Sequence, residues 1–259
     1  MSSLAPDEGG LRLLAGPDRL PPHDDVGVGP ALLRAVAADG TGGWLRLYRP
    51  APTVAFSRRD TLSPGFRDAA AVGAAAGYGP VLRSPGGRAA VYDERALCVD
   101  LVVADPDPGA RMLTRFAEFG ELLVEALAKL GVAASVAPVP GEYCPGRYSV
   151  SAGGRKLAGS AQRMSRGGWL LGAVLLVDGA DEVREVVRGV YAALGEPCDP
   201  STVGAVADLA PGVTVEAAAD AVRAAFAARV DLVEVADCPD LVAGAWAAVA
   251  GRRVQELVG

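Results

Sequence analysis

Apolar residues along the chain follow two spacings, and each spacing predicts one kind of element. A spacing of three and four residues predicts helices, most clearly over residues 111–130, where Phe119 and Leu123 lie on an apolar stripe that we expect to face a sheet. Gly131 directly after this stripe is a typical helix end. The same spacing predicts further helices at residues 25–38, 66–76, 181–194 and 215–228.

Shorter apolar runs predict strands. Residues 97–103 are almost continuous in Val and Leu, so we expect this strand at the centre of a sheet. In another strand Leu45 and Leu47 alternate with Arg46 and Tyr48, which predicts one buried and one exposed face. The predicted strands are at residues 44–48, 53–56, 81–83, 89–92, 97–103, 134–136, 148–151, 156–162 and 169–176.

The order of these elements predicts an α+β fold with a mixed, largely antiparallel sheet flanked by helices. Residues 1–22 are rich in Gly and Pro, and we expect them to form a flexible N-terminal segment. Residues 23–230 are expected to form one domain, followed by a helical extension over residues 231–259.

Charge and residue usage exclude several classes of protein. The chain has 31 acidic and 25 basic residues, and a net charge of -6 argues against a general nucleic-acid binder. His23 is the one histidine, which argues against triads with a His base and against zinc sites. The four cysteines form no CxxC pair. Because we find neither a signal peptide nor a membrane-spanning run, we expect a cytoplasmic protein.

The first candidate site is a glycine turn between two strands. Arg83 and Arg88 flank the adjacent Gly86 and Gly87, and Tyr92 follows on the next strand. Adjacent glycines let backbone amides approach an anion closely, and guanidinium groups donate two hydrogen bonds to phosphate or carboxylate. The alternative is a hairpin turn with surface arginines.

The second candidate contains one of only two lysines in the chain, Lys156, the other being Lys129. The strand that Lys156 begins is rich in small residues. Alternation predicts a polar face suited to the floor of a ligand pocket, and an opposite face against which a neighbour can pack. The predicted polar face is Lys156, Ala158, Ser160 and Gln162, and the opposite face is Leu157, Gly159 and Ala161. The alternative is a surface strand with a solvated lysine.

The third candidate is Cys144, which lies in a loop twelve residues before Lys156. Its neighbours are Pro and Gly residues rather than an apolar run, so it is less typical of a core cysteine than Cys98 is. A nearby cation would lower the pKa of such a thiol and favour its reactive thiolate. The alternative is an inert loop thiol.

The order of these motifs along the chain resembles a known family. Arg-x-x-Gly-Gly-x-x-x-x-Tyr followed by Arg-Lys-x-x-Gly-Ser-Ala-Gln is similar to the lipoate-protein ligase and octanoyltransferase branch of the biotin/lipoate protein ligase family, over residues 25–230. The resemblance is carried by Arg83, Gly86, Gly87, Val91 and Tyr92 and by Arg155, Lys156, Gly159, Ser160, Ala161 and Gln162.

This resemblance implies an enzyme that attaches lipoyl or octanoyl groups to a lysine of lipoyl domains in 2-oxoacid dehydrogenase complexes or of the glycine-cleavage H protein. In the ligases, ATP with Mg²⁺ activates lipoate as an acyl-adenylate, and the lysine matched by Lys156 contacts the phosphate and the acyl carbonyl. In a transferase branch, a cysteine matched by Cys144 accepts octanoate from an acyl carrier protein without a cofactor. We further expect a monomer that holds no metal ion and binds neither a membrane nor nucleic acid.

Two departures from the family pattern bear on the choice between these branches. Arg88 stands where the ligases have a third glycine, and residues 93–96 replace the usual His-Asp and Gly-Asn. We predict an ATP-dependent ligase, with cysteine-dependent octanoyl transfer as the alternative. The alternative from another class is a non-catalytic acyl- or adenylate-binding protein with this fold.

Overall fold

A computed structural model of the protein describes residues 2–7, 9–16 and 18–235. In this part of the chain the α-helices are α1 (Pro22–Asp39), α2 (Phe66–Ala75), α3 (Met112–Lys129), α4 (Ala180–Leu194) and α5 (Val215–Ala227). The first six strands are β1 (Leu11–Ala15), β2 (Gly43–Tyr48), β3 (Thr53–Phe56), β4 (Gly79–Leu82), β5 (Ala90–Tyr92) and β6 (Ala96–Ala104). The remaining strands are β7 (Ser135–Val136), β8 (Val150–Ala152), β9 (Arg155–Ser165), β10 (Gly168–Leu176) and β11 (Leu232–Glu234).

The strands form a large and a small sheet. The large sheet has the order β11-β1-β2-β6-β10-β9-β8-β7, and the small sheet has the order β4-β3-β5. In the large sheet the pairs β11–β1 and β1–β2 are parallel and the other pairs are antiparallel. The predicted mixed, largely antiparallel sheet is therefore confirmed, with the apolar strand β6 inside it.

Helices cover both faces of the large sheet. On one face α3 and α5 pack over the sheet, where Phe119 and Leu123 are buried as predicted. On the other face α1 packs against residues such as Trp44 and Val102. Beside α1, the small sheet with α2 and α4 covers the same face and leaves a cavity over β6, β9 and β10.

In strand β2 the alternation of apolar and polar residues does not correspond to one buried and one exposed face. Every residue of β2 is buried, and the side chain of Arg46 is completely inaccessible to solvent. The predicted exposed face for Arg46 and Tyr48 is wrong, because α1 and the small sheet cover that side of β2. Arg46 is accommodated by an ion pair with Asp25 of α1, at 2.6 Å between Nη2 and Oδ1.

The ends of the chain also differ from expectation. Within residues 1–22, for which we predicted a flexible segment, Leu11–Ala15 forms β1, with Leu11, Leu13 and Leu14 buried. Strand β11 pairs with β1, so the large sheet extends past the predicted boundary at residue 230. The rest of the predicted C-terminal helical extension, residues 236–259, lies outside the described residues.

Candidate active site

The three candidate motifs meet at a single cavity of about 460 Å³. We call residues 83–88 the glycine loop and residues 142–147 the cysteine loop. The two loops form one wall, and strands β6, β9 and β10 form the floor. Of the predicted site residues, those lining the cavity are Arg83, Gly86, Gly87, Tyr92, Cys144, Lys156, Gly159, Ser160, Ala161 and Gln162.

Cys144 presents its sulfur to donors of the glycine loop. The backbone N–H of Arg88 donates to Cys144 Sγ at 3.2 Å, and Nη2 of Arg83 lies 3.6 Å from the same sulfur. Cys144 has a φ of 42°, a left-handed conformation that few residues other than Gly adopt. Such strain persists only where the surroundings enforce it, and it is common at functional sites.

Tyr191 of α4 links the cysteine loop to Ala89, the residue directly after the glycine loop. Its hydroxyl accepts a hydrogen bond from the backbone N–H of Cys144 at 2.7 Å and donates one to the carbonyl of Ala89 at 2.8 Å. The side chain is buried, so these bonds have little competition from water. Tyr191 therefore fixes where Cys144 stands relative to the donors that face its sulfur.

Lys156 is buried, which contradicts the alternative of a solvated surface lysine. Its Nζ donates to the carbonyl oxygens of Cys144 at 2.8 Å and Tyr143 at 3.1 Å. The carboxylate of Glu142, also buried, lies 3.2 Å from this ammonium through Oε2 and accepts the Gly146 N–H through Oε1. Lys156 therefore fixes the backbone of the cysteine loop by hydrogen bonds, and Glu142 is its counter-ion.

A bulge in β9 overturns the predicted alternation of that strand. Ser151 of β8 pairs with Lys156 but the preceding Val150 pairs with Ala158, so one residue of β9 is extra. The Lys156 side chain consequently lies over Gly159, where an added Cβ would be 2.9 Å from the lysine Cε. Lys156 and Gly159 were predicted on opposite faces, and that prediction is wrong. Gly159 is small because the lysine occupies its side-chain space.

Gln162 lies farther along β9 and makes contacts different from those of Lys156. Its amide accepts from Nε of Arg115 at 3.0 Å and donates to the carbonyl of Met112 at 2.9 Å, both at the start of α3. Gln162 therefore holds α3 against the strand at the edge of the cavity. Nearby, Phe116 of α3 stacks on Tyr148 with ring centroids 5.4 Å apart.

Arg88 takes part through its backbone rather than its side chain. Its guanidinium forms ion pairs with Asp60, at 3.3 Å, and with Glu196, and it is not among the cavity-lining groups. The expectation that Arg88 places a large cation at the cavity therefore does not match its position. The two carboxylates instead hold the loop so that the Arg88 N–H faces Cys144.

The other described cysteines lack these surroundings. Cys98 is deeply buried in β6, and burial holds the pKa of its thiol well above the ordinary value. Burial also raises the pKa of the Cys198 thiol to about 11. Neither environment favours a thiolate near neutral pH, which leaves Cys144 as the candidate nucleophile among the described cysteines.

Sequence reasoning missed Glu142 and Tyr191. Glu142 lies two residues before Cys144 and is the acidic residue nearest in sequence to Lys156, which could have suggested it as the counter-ion of the lysine. Tyr191 lies inside a helix with ordinary amphipathic spacing, so no local signal distinguished it. Among the described residues, no group of His, Cys, Asp or Glu could hold a metal ion, and no helix is long and apolar enough to cross a membrane.

Comparison with solved structures places the fold in the class of lipoate ligases. Lipoate-protein ligase A bound with ATP superposes with a TM-score of 0.74 at 22% identity over 94% of each chain. A chain from the structure of the bi-partite lipoate protein ligase of Thermoplasma acidophilum and its E2 lipoyl domain gives a TM-score of 0.68 at 21% identity, over 94% of this chain and 92% of that one.

Residues 22–227 match the model of the lipoyl protein ligase A/B catalytic domain, and the chain belongs to this family, as its motifs predicted. It is 32% identical over 162 residues to octanoyl-[GcvH]:protein N-octanoyltransferase of Geobacillus kaustophilus, covering 62% of this chain and 57% of that one. It is 26% identical over 188 residues to lipoyl-[GcvH]:protein N-lipoyltransferase of Listeria monocytogenes, covering 69% and 68%. The match to the first of these relatives spans less than three fifths of its length.

Proposed function

We propose that the protein is a cysteine-dependent acyltransferase that moves an octanoyl or lipoyl group from the lysine of a carrier domain to a lysine of an acceptor protein. The observation that carries this proposal is the convergence of two N–H donors on Cys144 Sγ inside the cavity. The names of the curated relatives, which act between an acylated H protein and another protein, support the same class of reaction.

The first half-reaction acylates the enzyme. Sγ of Cys144 attacks the carbonyl carbon of the acyl-lysine amide, so an S–C bond forms and the C–N bond breaks. The thiol proton ends on the departing lysine amine. Arg83 lines the cavity with its Nη2 3.6 Å from Sγ, so its guanidinium is suited to donate to the carbonyl oxygen as negative charge develops there.

The second half-reaction deacylates the enzyme. The amine of the acceptor lysine attacks the thioester carbonyl, the S–C bond breaks, and the amine proton returns to Sγ. The Arg88 N–H stabilises negative charge on the sulfur both when it attacks and when it leaves. The acyl tail meanwhile gains roughly 0.8 kcal/mol for each methylene group that the cavity buries.

Lys156 has a structural part in this mechanism. Its Nζ bonds to the carbonyl of Cys144 itself, so the ammonium holds the strained loop in the conformation that presents Sγ. An arginine at this position would have to fit a planar fork into the space above Gly159. The loop would then be displaced.

The ATP-dependent ligase that we predicted from the sequence receives less support from the site. The guanidinium of Arg88 is already paired with two carboxylates, and Lys156 is paired with Glu142. Two of the three cations that were expected to meet a phosphate are therefore engaged within the protein, whereas Arg83 lines the cavity. A non-catalytic acyl-binding protein would account for the cavity but not for the donors around Cys144.

The test is to mix the protein with an octanoylated H protein and an unmodified lipoyl domain, and to follow both by intact mass without ATP. We expect octanoyl transfer in the wild type, loss of transfer in Cys144→Ser, and retention in Cys198→Ser. Transfer that requires octanoate, ATP and Mg²⁺ and survives Cys144→Ser would establish the ligase instead. A parallel sample with octanoyl-acyl carrier protein identifies which donor is used.

A further inference from the structure

The floor of the cavity has a charged end on the side away from Lys156. Asp100 of β6 pairs with Gly172 of β10, which pairs with Ala161 of β9. Neighbouring strands lie about 4.8 Å apart, so Asp100 is displaced by about 10 Å across the sheet from β9. An acyl chain attached at Cys144 and extending over this floor would therefore approach Asp100 with its far end.

Asp100 carries the single carboxyl group among the cavity-lining residues that the structure describes. Its Oδ2 lies 3.7 Å from Nη1 of the fully buried Arg46, whose Nη2 lies 2.6 Å from Asp25. Two carboxyls thus share one guanidinium, and Asp25 is the closer partner. Burial raises the pKa of Asp100 to about 6, against the opposing effect of Arg46.

The other oxygen of Asp100 lies toward the space above β10. A methyl group at Gly172 would be 3.4 Å from Oδ1 and 3.8 Å from Cγ of Pro85, so the absence of a side chain at Gly172 leaves space between this oxygen and Pro85 at the wall of the cavity. A plain alkyl chain packed against the carboxyl would remove water without replacing its hydrogen bonds, which is unfavourable. A ligand hydroxyl would pair with the group, whether the carboxyl is protonated or ionised.

We infer that Asp100 makes the far end of the cavity a subsite for medium-chain acyl groups that carry a hydrogen-bond donor near the ω end, in preference to plain alkyl chains. The inference rests on the proposed function in one respect, namely that the cavity holds an acyl chain. It assigns Asp100 the part of a specificity-determining residue. Cys144 and Lys156 act at the opposite end.

The test compares octanoate with 8-hydroxyoctanoate, and uses the Cys144→Ser protein so that binding is measured without acyl transfer. Calorimetry gives the two dissociation constants and their ratio. We expect Asp100→Leu to shift this ratio toward octanoate by about tenfold or more, since the hydroxyl loses its partner while the alkyl chain gains an apolar one. Asp100→Asn, which is close in shape, should give a smaller shift in the same direction.

Asp25→Asn is the matched control, because Asp25 shares Arg46 but does not line the cavity. We expect its ratio to stay within about twofold of the parent. The inference is overturned if neither acid binds, if both Asp100 variants keep the parent ratio, or if Asp25→Asn shifts it as much as they do. If the dissociation constants show the expected ratios but the wild-type protein transfers no acyl group, the proposed function is refuted and the inference about Asp100 is supported.

Discussion

Gly87→Ala is the substitution whose effect follows most directly from the geometry of the site. Gly87 has a φ of 102°, and a Cβ added there would lie 2.9 Å from Cys144 Sγ and 2.8 Å from Arg83 Nη2. Non-bonded carbon contacts are comfortable at about 3.5 Å or more, so the sulfur would have to move by about 0.6 Å. The backbone strain at positive φ adds roughly 1–3 kcal/mol against folding.

The displacement should cost activity in addition to stability. A reacting atom misplaced by about 1 Å loses about 100-fold in rate, so we expect Gly87→Ala to slow acylation of Cys144 by about tenfold or more. The assay is quenched-flow acylation by an octanoylated H protein, read by intact mass, with thermal unfolding measured on the same sample. Gly86→Ala is the matched control, because a Cβ there has no atom within 4 Å.

We expect Gly86→Ala to lose far less rate than Gly87→Ala. A folded Gly87→Ala protein that acylates Cys144 at the wild-type rate would refute the proposed position of the sulfur. Equal losses in the two variants would show that general loop flexibility, rather than the contact with Sγ, sets the rate.

Three further predictions follow from contacts outside the glycine loop. Tyr191→Phe removes the acceptor for the Cys144 N–H, and we expect the free energy of unfolding in denaturant to fall by about 1–3 kcal/mol and Cys144 acylation to slow. An unchanged acylation rate would mean that the tyrosine does not position the cysteine loop. Lys156→Arg should lose most acyl transfer in the mass assay, since the space over Gly159 is shaped for an ammonium, and near wild-type transfer would contradict this. Thr214→Ala removes the Oγ1 cap of α5 and should cost about 0.5–2 kcal/mol of stability with transfer intact, so a change in transfer rate would contradict its purely structural part.

The sequence predicted well those elements whose burial follows from their own pattern of apolar residues. Helix α3 faces one layer, and β6 lies inside the sheet, so spacing and composition were sufficient for both. Strand β2 is covered on both faces, and its charged Arg46 is buried through a partner on another element. Strand β1 is held by parallel pairing with β2 and with β11, which lies more than 200 residues later, and no local pattern reveals these pairings.

Most of the predicted site residues line one cavity, but Arg88 does not, and the contacts among the site residues were not predicted. The motifs identified Cys144 and Lys156 as a pair, and the fold brings them together. The bulge in β9 reversed the expected faces, because an inserted residue leaves no mark in the pattern of side chains. The outward ion pairs of Arg88 depend on Asp60 and Glu196, residues that are distant in sequence.

The most direct measurement of the central claim is a chase of the isolated acyl-enzyme. The protein is loaded from an octanoylated H protein without ATP, freed of donor, and mixed with an unmodified lipoyl domain while both masses are followed. The account predicts an octanoyl adduct on Cys144 that hydroxylamine removes and that passes to the acceptor lysine at least as fast as steady-state turnover. Transfer that proceeds in Cys144→Ser, or an adduct that the acceptor does not discharge, would contradict it.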